Sequence, residues 1–196
     1  MAIEDRRERE RTARREMIIA TARRLAEAEG WDAVTTRRLS TEIEYSQPVL
    51  YKHFSGMEQI SQAVAVDGFA ELADVLGAAR SGAGTPSVTL TRMARAYLDF
   101  ARDNPAVYDA MFTRATTLRF GTNDTPAQLT AAFEELRQVV DVVADGRDVD
   151  ALTELYWATL HGLVTLTRGG RLRPGYDSER LQMLVNQLTP GPEMTH

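Results

Sequence analysis

The segment VTTRRLSTEIEYSQPVLYKHF, residues 34–54, constrains the fold most, because it contains two helix start signals close together. A threonine pair at 35–36 is typical of an N-cap, and Ser46 followed by a proline in the first turn is a second such signal. The two residues 44–45 leave room only for a tight turn. Two short helices joined in this way are typical of a helix-turn-helix, across which the preceding helix packs.

The remainder of the chain is also helical in pattern, with apolar residues recurring every three to four positions and no strand alternation. The pattern predicts an all-α protein of about nine helices. We place them at about 12–29, 36–43, 46–53, 57–80, 86–103, a short one from 105, 126–144, 149–168 and 177–188. A break at Ser55-Gly56 divides the chain into two predicted domains. These are an N-terminal arm with the helix-turn-helix, 1–56, and a helical domain, 57–196.

Composition excludes several functional classes for this chain of 196 residues. It has no cysteine, which rules out disulfides, thiolate catalysis and cysteine-based zinc sites. The three histidines, His53, His161 and His196, lack metal-ligand spacing, so no metal site is expected. There is no glycine-rich phosphate loop and no nucleophile elbow, and we therefore expect no enzyme, no catalytic residue and no cofactor.

No targeting or membrane segment is visible in the sequence. Apolar runs are too short to span a bilayer, so no membrane partner is expected. The charged N-terminus, MAIEDRRERERTARRE, lacks the apolar core of a signal peptide. These features predict a cytoplasmic protein.

Charge is distributed unevenly along this acidic chain, whose net charge is −5. Residues 1–55 hold 11 basic and 10 acidic residues, whereas the remainder holds 12 and 18. Many of the basic residues form an N-terminal cluster at positions 6, 7, 9, 11, 14 and 15. This cluster is either a flexible arm that contacts DNA in the minor groove or a solvated helical extension, because glutamates alternate with the arginines.

The second helix of the helix-turn-helix has the pattern of a recognition helix. Leu50 and Phe54, four residues apart, can face the core, which leaves the polar residues of the segment exposed. The first residues of such a helix meet base edges in the major groove, while hydroxyl and cationic groups reach phosphates. The candidate DNA-binding residues are Thr36, Arg37, Ser46, Gln47, Pro48, Tyr51, Lys52 and His53.

The segment GWDAVTTRRLSTEIEYSQPVLYKHFSGMEQI resembles the DNA-binding domain of the tetracycline-repressor (TetR) family. The resemblance covers roughly residues 12–60. It implies an all-helical homodimer whose C-terminal domain binds a small-molecule effector and controls DNA affinity. A second stretch, LYWATLHGLVTLTRGGRL, resembles a subgroup with a Trp-x-x-x-His-Gly helix, here Trp157, His161 and Gly162.

Three positions depart from the family pattern. Glu44 stands where the turn usually has glycine, which predicts a left-handed residue that costs roughly 1 kcal/mol. Tyr45 replaces a small aliphatic residue, and Met57 stands where the family often has a phosphate-binding lysine.

The resemblance also assigns roles to apolar residues of the second domain, although ordinary core packing is an alternative for each of them. An effector pocket is expected from Phe69, Met93, Tyr97, Phe100, Tyr108, Met111, Phe112, Phe133, Trp157 and His161. The last two helices are expected to pair with their twofold mates. The predicted interface residues are Leu155, Leu163, Leu181, Leu184, Val185 and Leu188.

The sequence thus predicts a ligand-responsive transcription regulator, most simply a repressor that a small apolar or amphipathic ligand releases from DNA. Its partners would be a palindromic double-stranded operator, a small-molecule effector and a second copy of the chain. The alternative is a helical module that sequesters ligands or binds proteins without specific DNA binding.

Overall fold

The protein is all-helical, as the sequence predicts. A computed structural model describes residues 2–114, 117–122 and 125–189 of the chain, and the described ranges contain nine α-helices and no strand. The helices are α1 (Ala2–Glu29), α2 (Thr36–Glu42), α3 (Gln47–Tyr51), α4 (Met57–Ser81), α5 (Pro86–Asp103), α6 (Pro105–Asp109), α7 (Ala127–Asp141), α8 (Val149–Arg168) and α9 (Asp177–Leu188). A 3₁₀ turn, Trp31–Ala33, follows α1, and a π-helical turn, Ala110–Arg114, continues α6.

The chain forms two compact units. Unit 1 consists of Met1–Gly68 and Asn104–Thr125, and unit 2 consists of Phe69–Asp103 and Pro126–His196. Helix α4 contributes residues to both units. The sequential division at residue 56 stays a prediction.

The core of unit 1 is built from the apolar stripe that the sequence predicts on α1. Ile18, Ala22 and Leu25 are buried there, and so are Leu39 of α2 and Leu50 of α3. These side chains recur every three to four residues, which puts them on one face of each helix. The helix-turn-helix therefore has a packed apolar core behind its polar surface.

Unit 1 also contains α6, whose first turn is held by the end of α1. The Glu27 carboxylate accepts hydrogen bonds from the backbone N–H groups of Ala106 and Val107, each at 3.0 Å. Nearby, Trp31 Nε1 donates to the Ala106 carbonyl at 2.8 Å. A carboxylate at the start of a helix satisfies orphan N–H groups and is favoured by the helix dipole. The end of α1 and the 3₁₀ turn that follows it thus hold the start of α6.

The N-terminal arginine-rich segment belongs to helix α1. Helix α1 begins at Ala2, ten residues before the predicted start, and residues 4–17 are exposed along it. Ion pairs between Glu10 and the arginines at 6 and 14 lie at one-turn spacing along this extension. Of the two readings of the arginine cluster, the structure matches the helical extension.

Unit 2 packs α5, α7, α8 and α9 against one another, with α5 in contact with the other three. The buried Tyr156 hydroxyl of α8 donates to the Leu90 carbonyl of α5 at 2.7 Å. Burial raises the pKa of Tyr156, because it disfavours the charged phenolate.

Helix α9 packs its predicted apolar stripe inside unit 2. Its apolar side chains Leu181, Leu184, Val185 and Leu188 are buried in unit 2, where α9 contacts α5. A dimer contact through these four side chains stays a prediction. The amphipathic stripe is present as predicted, but its partner is the same chain.

The turn between α2 and α3 contains the left-handed residue that the sequence predicts. Glu44 has a φ of 57°, and the next residue, Tyr45, donates its N–H to the Ser40 carbonyl at 3.0 Å. A Cβ in this conformation costs roughly 1–2 kcal/mol, which glycine avoids.

We expect Glu44→Gly to raise the free energy of unfolding by up to about 1 kcal/mol, because relief of strain exceeds the added freedom of the unfolded chain. Chemical denaturation measures this change. Asp145→Gly is the matched control, since Asp145 also has a positive φ, 47°, but aspartate tolerates it better. A loss of stability in Glu44→Gly would contradict the inference that the backbone of Glu44 is strained.

Candidate nucleic-acid interface

The two helices of the helix-turn-helix begin where the sequence signals place them. The Thr35 hydroxyl accepts a hydrogen bond from the Arg38 N–H at 3.1 Å and so caps α2. Ser46 occupies the N-cap position of α3 without a side-chain cap hydrogen bond. Pro48 lies in the first turn of α3, where its missing N–H is not needed.

Most of the predicted DNA-binding residues are exposed on α2, on α3 and directly after α3. Leu50 and Phe54 are buried, and they orient α3 with its polar side outward. Tyr51 is 51% exposed, which leaves its hydroxyl accessible to a partner. Arg37, Ser46, Gln47, Pro48 and Lys52 are likewise exposed, whereas Thr36 and His53 are partly buried. Their contact with DNA stays a prediction.

Positive charge surrounds the end of α3. Burial lowers the pKa of His53, and the positive charges of Arg11, Arg14, Arg15 and Lys52 lower it further. His53 is therefore neutral at neutral pH, and the cations around it create a site that favours an anion. Sequence reasoning found Lys52 and His53 but did not bring α1 to this surface.

The lowered pKa of His53 predicts a loss of stability in acid. Its folded pKa lies below the ordinary value of 6.5, so the unfolded chain binds the proton first as pH falls. Stability is therefore fully present above about pH 7.5 and is lost as pH falls through 6.5 toward the folded pKa.

We expect His53→Gln to lose less unfolding free energy than the parent protein between about pH 7.5 and about pH 5.5. Denaturant titrations at several pH values measure this difference. Burial also lowers the pKa of His161. The His53→Gln variant should therefore keep the part of the pH dependence of stability that His161 causes. If the unfolding free energy of the variant and of the parent depended on pH in the same way, this loss of stability could not be assigned to His53.

The ten predicted effector residues fall in both units. Tyr108, Met111 and Phe112 belong to unit 1, where the ring centroids of Tyr108 and Phe112 lie 4.6 Å apart. The other seven belong to unit 2. The structure buries most of the ten, and Phe112, Phe133, Trp157 and His161 are partly exposed.

Unit 2 brings three of these residues together as an aromatic cluster, defined here as Tyr97, Phe133 and Trp157. The indole Nε1 of Trp157 donates to the Tyr97 hydroxyl at 3.2 Å. The Phe133 ring meets the indole edge to face, with ring centroids 6.3 Å apart. His161 follows Trp157 by one helical turn, and its pKa is lowered by burial and by Arg168. The cluster combines apolar surface with two hydrogen-bonding groups.

Helix α8 has an outward stripe of small and apolar residues, which we call the α8 stripe. It consists of Ala151, Leu155, Ala158, Gly162 and Leu166. Leu155 is 59% exposed, and a Cβ added at Gly162 would meet no atom within 4 Å. The predicted interface residue Leu155 thus lies at the surface, while Leu163 is half-buried. The spacing of three and four could have revealed the small residues from sequence.

The described residues contain no group of three or more potential metal ligands among histidine, cysteine, aspartate and glutamate. His196 lies outside the described residues. No helix within the described part is long and apolar enough to cross a membrane.

Two family models match the chain. One, described as bacterial regulatory proteins of the tetR family, matches residues 18–64. The other, a tetracyclin repressor-like C-terminal domain, matches residues 90–188. The first match contains the helix-turn-helix, and the second contains α7, α8 and α9. Neither match tests the resemblance to the Trp-x-x-x-His-Gly subgroup, which stays a prediction.

Relatives and solved structures agree with these models. The chain is 30% identical over 159 residues to the uncharacterized HTH-type transcriptional regulator Rv0681 of Mycobacterium tuberculosis, covering 80% of this chain and 71% of that protein. The TetR family transcriptional regulator PfmR of Thermus thermophilus has the same fold, with a TM-score of 0.63 and 20% identity over 90% of this chain and 98% of that one. A TetR variant of Acinetobacter baumannii AYE, solved in complex with minocycline, is 19% identical, with a TM-score of 0.61 over 89% and 97% of the two chains. By its helix-turn-helix, its C-terminal domain and these relatives, the chain belongs to the TetR family of transcriptional regulators, not to an enzyme family.

Proposed function

We propose that this TetR family regulator is a homodimeric repressor that a small apolar or amphipathic effector releases from operator DNA. The observation that carries the proposal is the exposed polar surface of α2 and α3 beside a cluster of cations. A surface of this kind offers hydrogen-bonding groups to base edges and positive charge to phosphates.

In the proposed complex, the N-terminal end of α3 enters the major groove. Gln47 is exposed there and can form paired hydrogen bonds with an adenine edge, and Pro48 can contact a thymine methyl group. Tyr51, Lys52 and His53 lie at the other end of α3, where we assign them to phosphates. In a twofold dimer the two α3 helices read the two half-sites of a palindrome. The centres of these half-sites lie about one turn of the DNA duplex, or a multiple of it, apart.

The α8 stripe supports the proposed dimer. Small residues allow two helices to approach closely, and the exposed Leu155 is the large apolar side chain near its centre. Pairing of α8 with its twofold mate would remove that apolar surface from water. The proposed interface therefore uses outward residues of α8, while α9 packs against α5 in the core of unit 2.

The aromatic cluster of unit 2 supports the proposed effector site. Its rings provide apolar surface, and Tyr97 provides a hydroxyl that the Trp157 indole N–H orients. A bound effector releases DNA only if it binds one conformation of the protein better than the other. We propose that displacement of α4, which contributes to both units, changes the separation of the two DNA-binding heads.

The first experiment compares binding of the dimer to DNA from upstream of its own gene and to a scrambled duplex over a salt series. Gln47→Ala should lower affinity for the preferred sequence by about 1–3 kcal/mol and relax its sequence preference. Lys52→Ala should weaken binding to both duplexes equally and reduce the salt slope by about one.

Two results would contradict the proposal. Equal weak binding of the parent protein to both duplexes, repeated on a library of random sequences, would favour the module without specific DNA binding. Unchanged sequence preference in Gln47→Ala would remove Gln47 from base recognition and leave it a positioning role.

A further inference from the structure

The face of α1 that packs on the core changes from apolar to basic toward the N-terminus. Ile18 and Ala22 are buried on this face. Steps of three and four residues toward the N-terminus lead from Ile18 to Arg15, Arg11 and Arg7, which are all exposed. We call these three residues the arginine stripe. It extends the inward face of α1 beyond the core of unit 1.

Contacts of Arg15 fix the arginine stripe beside the end of α3. Arg15 Nη1 lies 3.5 Å from the His53 carbonyl oxygen, and its guanidinium lies 4.3 Å from the centre of the Phe54 ring. Arg11 and Arg15 both act on the imidazole of His53, which follows Lys52. The stripe and the proposed phosphate-binding end of α3 therefore form one continuous basic surface.

The other side of α1 carries a different charge pattern. Arg6 forms an ion pair with Glu10 at 2.9 Å, and Arg9 lies about 160° around the helix from Arg11 at about 100° per residue. Within the described residues, no carboxylate lies at ion-pair distance from Arg7 or Arg11. The pKa of Glu10 is lowered mainly by Arg6, and less by Arg14 and Arg7. The stripe residues Arg7 and Arg11 thus carry positive charge that no ion pair holds in the described part of the chain, on the face that continues toward α3.

We propose that Arg7 and Arg11 bind the DNA backbone beside the half-site read by α3, which rests on the proposed DNA-binding function. A helix about 10–12 Å wide does not fit the minor groove of about 6 Å, and the proposed complex places α3 in the major groove, so we assign α1 to the phosphates. From Arg7 to Arg15 the stripe is about 12 Å long, which matches about three phosphates of one strand along the duplex axis. Glu4, one turn beyond Arg7, ends the basic stripe.

The test compares two double variants that remove the same charge from opposite sides of α1. Arg7→Gln with Arg11→Gln alters the stripe, whereas Arg6→Gln with Arg9→Gln is the matched control. Glutamine retains the helix propensity and a polar side chain while losing the charge. Circular dichroism checks that both variants keep the helicity of the parent protein.

Binding is measured from about 50 to 200 mM salt on any duplex that the parent protein binds, because phosphate contacts do not depend on sequence. We expect the stripe variant to reduce the salt slope by about two and to bind about 10-fold or more weakly at the low-salt end, with unchanged sequence preference. The control should retain nearly the parental slope, since screening at these salt concentrations limits the reach of its charges.

Three outcomes overturn the inference. An unchanged slope in the stripe variant would show that the arginines are solvated in the complex. An equal reduction in both double variants would assign the effect to net charge and not to this face. If the parent protein bound no duplex, both this inference and the proposed function would be overturned. The first two outcomes, in contrast, leave the proposed function intact.

Discussion

Leu155→Arg is expected to convert the proposed dimer to a monomer and to remove most of its operator affinity. Leu155 is 59% exposed near the centre of the α8 stripe, so the unfolded-to-folded equilibrium of the single chain should change little. Twofold pairing would bring two guanidinium groups into one apolar interface, where burying an unpaired charge costs several kcal/mol. The dimer dissociation constant should rise by at least about 100-fold, because about 1.4 kcal/mol corresponds to a factor of ten.

Loss of the dimer also separates the two DNA-binding heads. A linked pair of weak binding modules gains about 10²–10⁴ in affinity from the high effective concentration of the second one. Light scattering after size exclusion measures the assembly, and fluorescence anisotropy measures binding to the operator. Val142→Arg is the matched control, because Val142 is 67% exposed and lies after α7, outside the α8 stripe. A dimeric Leu155→Arg with parental affinity would contradict this interface.

Gly68→Val is expected to cause the largest loss of stability, more than about 3 kcal/mol. A Cβ at Gly68 would lie 2.5 Å from Val107 Cγ1 and 2.9 Å from Met111 Sδ, both below the closest separation that Cβ atoms tolerate. Both neighbours are buried in unit 1, and the β-branched Val107 has little freedom to turn away. Overpacking by even one methyl group typically costs about 1–3 kcal/mol, and valine adds three carbons.

Gly77→Ala in the same helix separates this packing effect from helix propensity. Alanine in a helix interior is favoured over glycine by about 1 kcal/mol. At position 77 the nearest atoms are those of the partly exposed Glu135 carboxylate at 3.4 Å, so Gly77→Ala should stabilise the protein. Urea denaturation compares the variants. A Gly68→Val protein as stable as the parent would mean that α4 and α6 do not approach closely at this point.

The sequence predicted the DNA-binding head in detail because each of its signals is local. Caps at Thr35 and Ser46, the turn at Glu44 and the apolar pair Leu50 and Phe54 act over a few residues. Local signals of this kind survive in the fold because the tertiary packing agrees with them. The left-handed Glu44 was predictable from its family position.

Features that depend on partners distant in sequence were predicted less well. The apolar stripe of α9 does not reveal whether α5 or a second copy covers it, and the chain uses α5. Similarly, the predicted start of α1 near residue 12 lies ten residues too late, because alternating arginines and glutamates show no apolar stripe, and α1 begins at Ala2. The hydrogen bonds of Glu27 to α6 join residues 79 and 80 positions apart, which no local pattern encodes.

The hydrogen bonds of Glu27 tie the end of α1 to α6, so a rotation of α6 would tilt α1. From Glu27 to Arg7 the helix measures about 30 Å at about 1.5 Å per residue. A tilt of α1 by about 10° about Glu27 would therefore displace Arg7 by about 5 Å. This displacement is larger than the spacing of about 3.4 Å between charges along one strand of DNA. Because Ile18 and Ala22 are buried in unit 1 and Arg15 contacts His53 and Phe54, such a tilt would carry α3 with α1. A small rotation of α6 would then change the register of both helices against the phosphates.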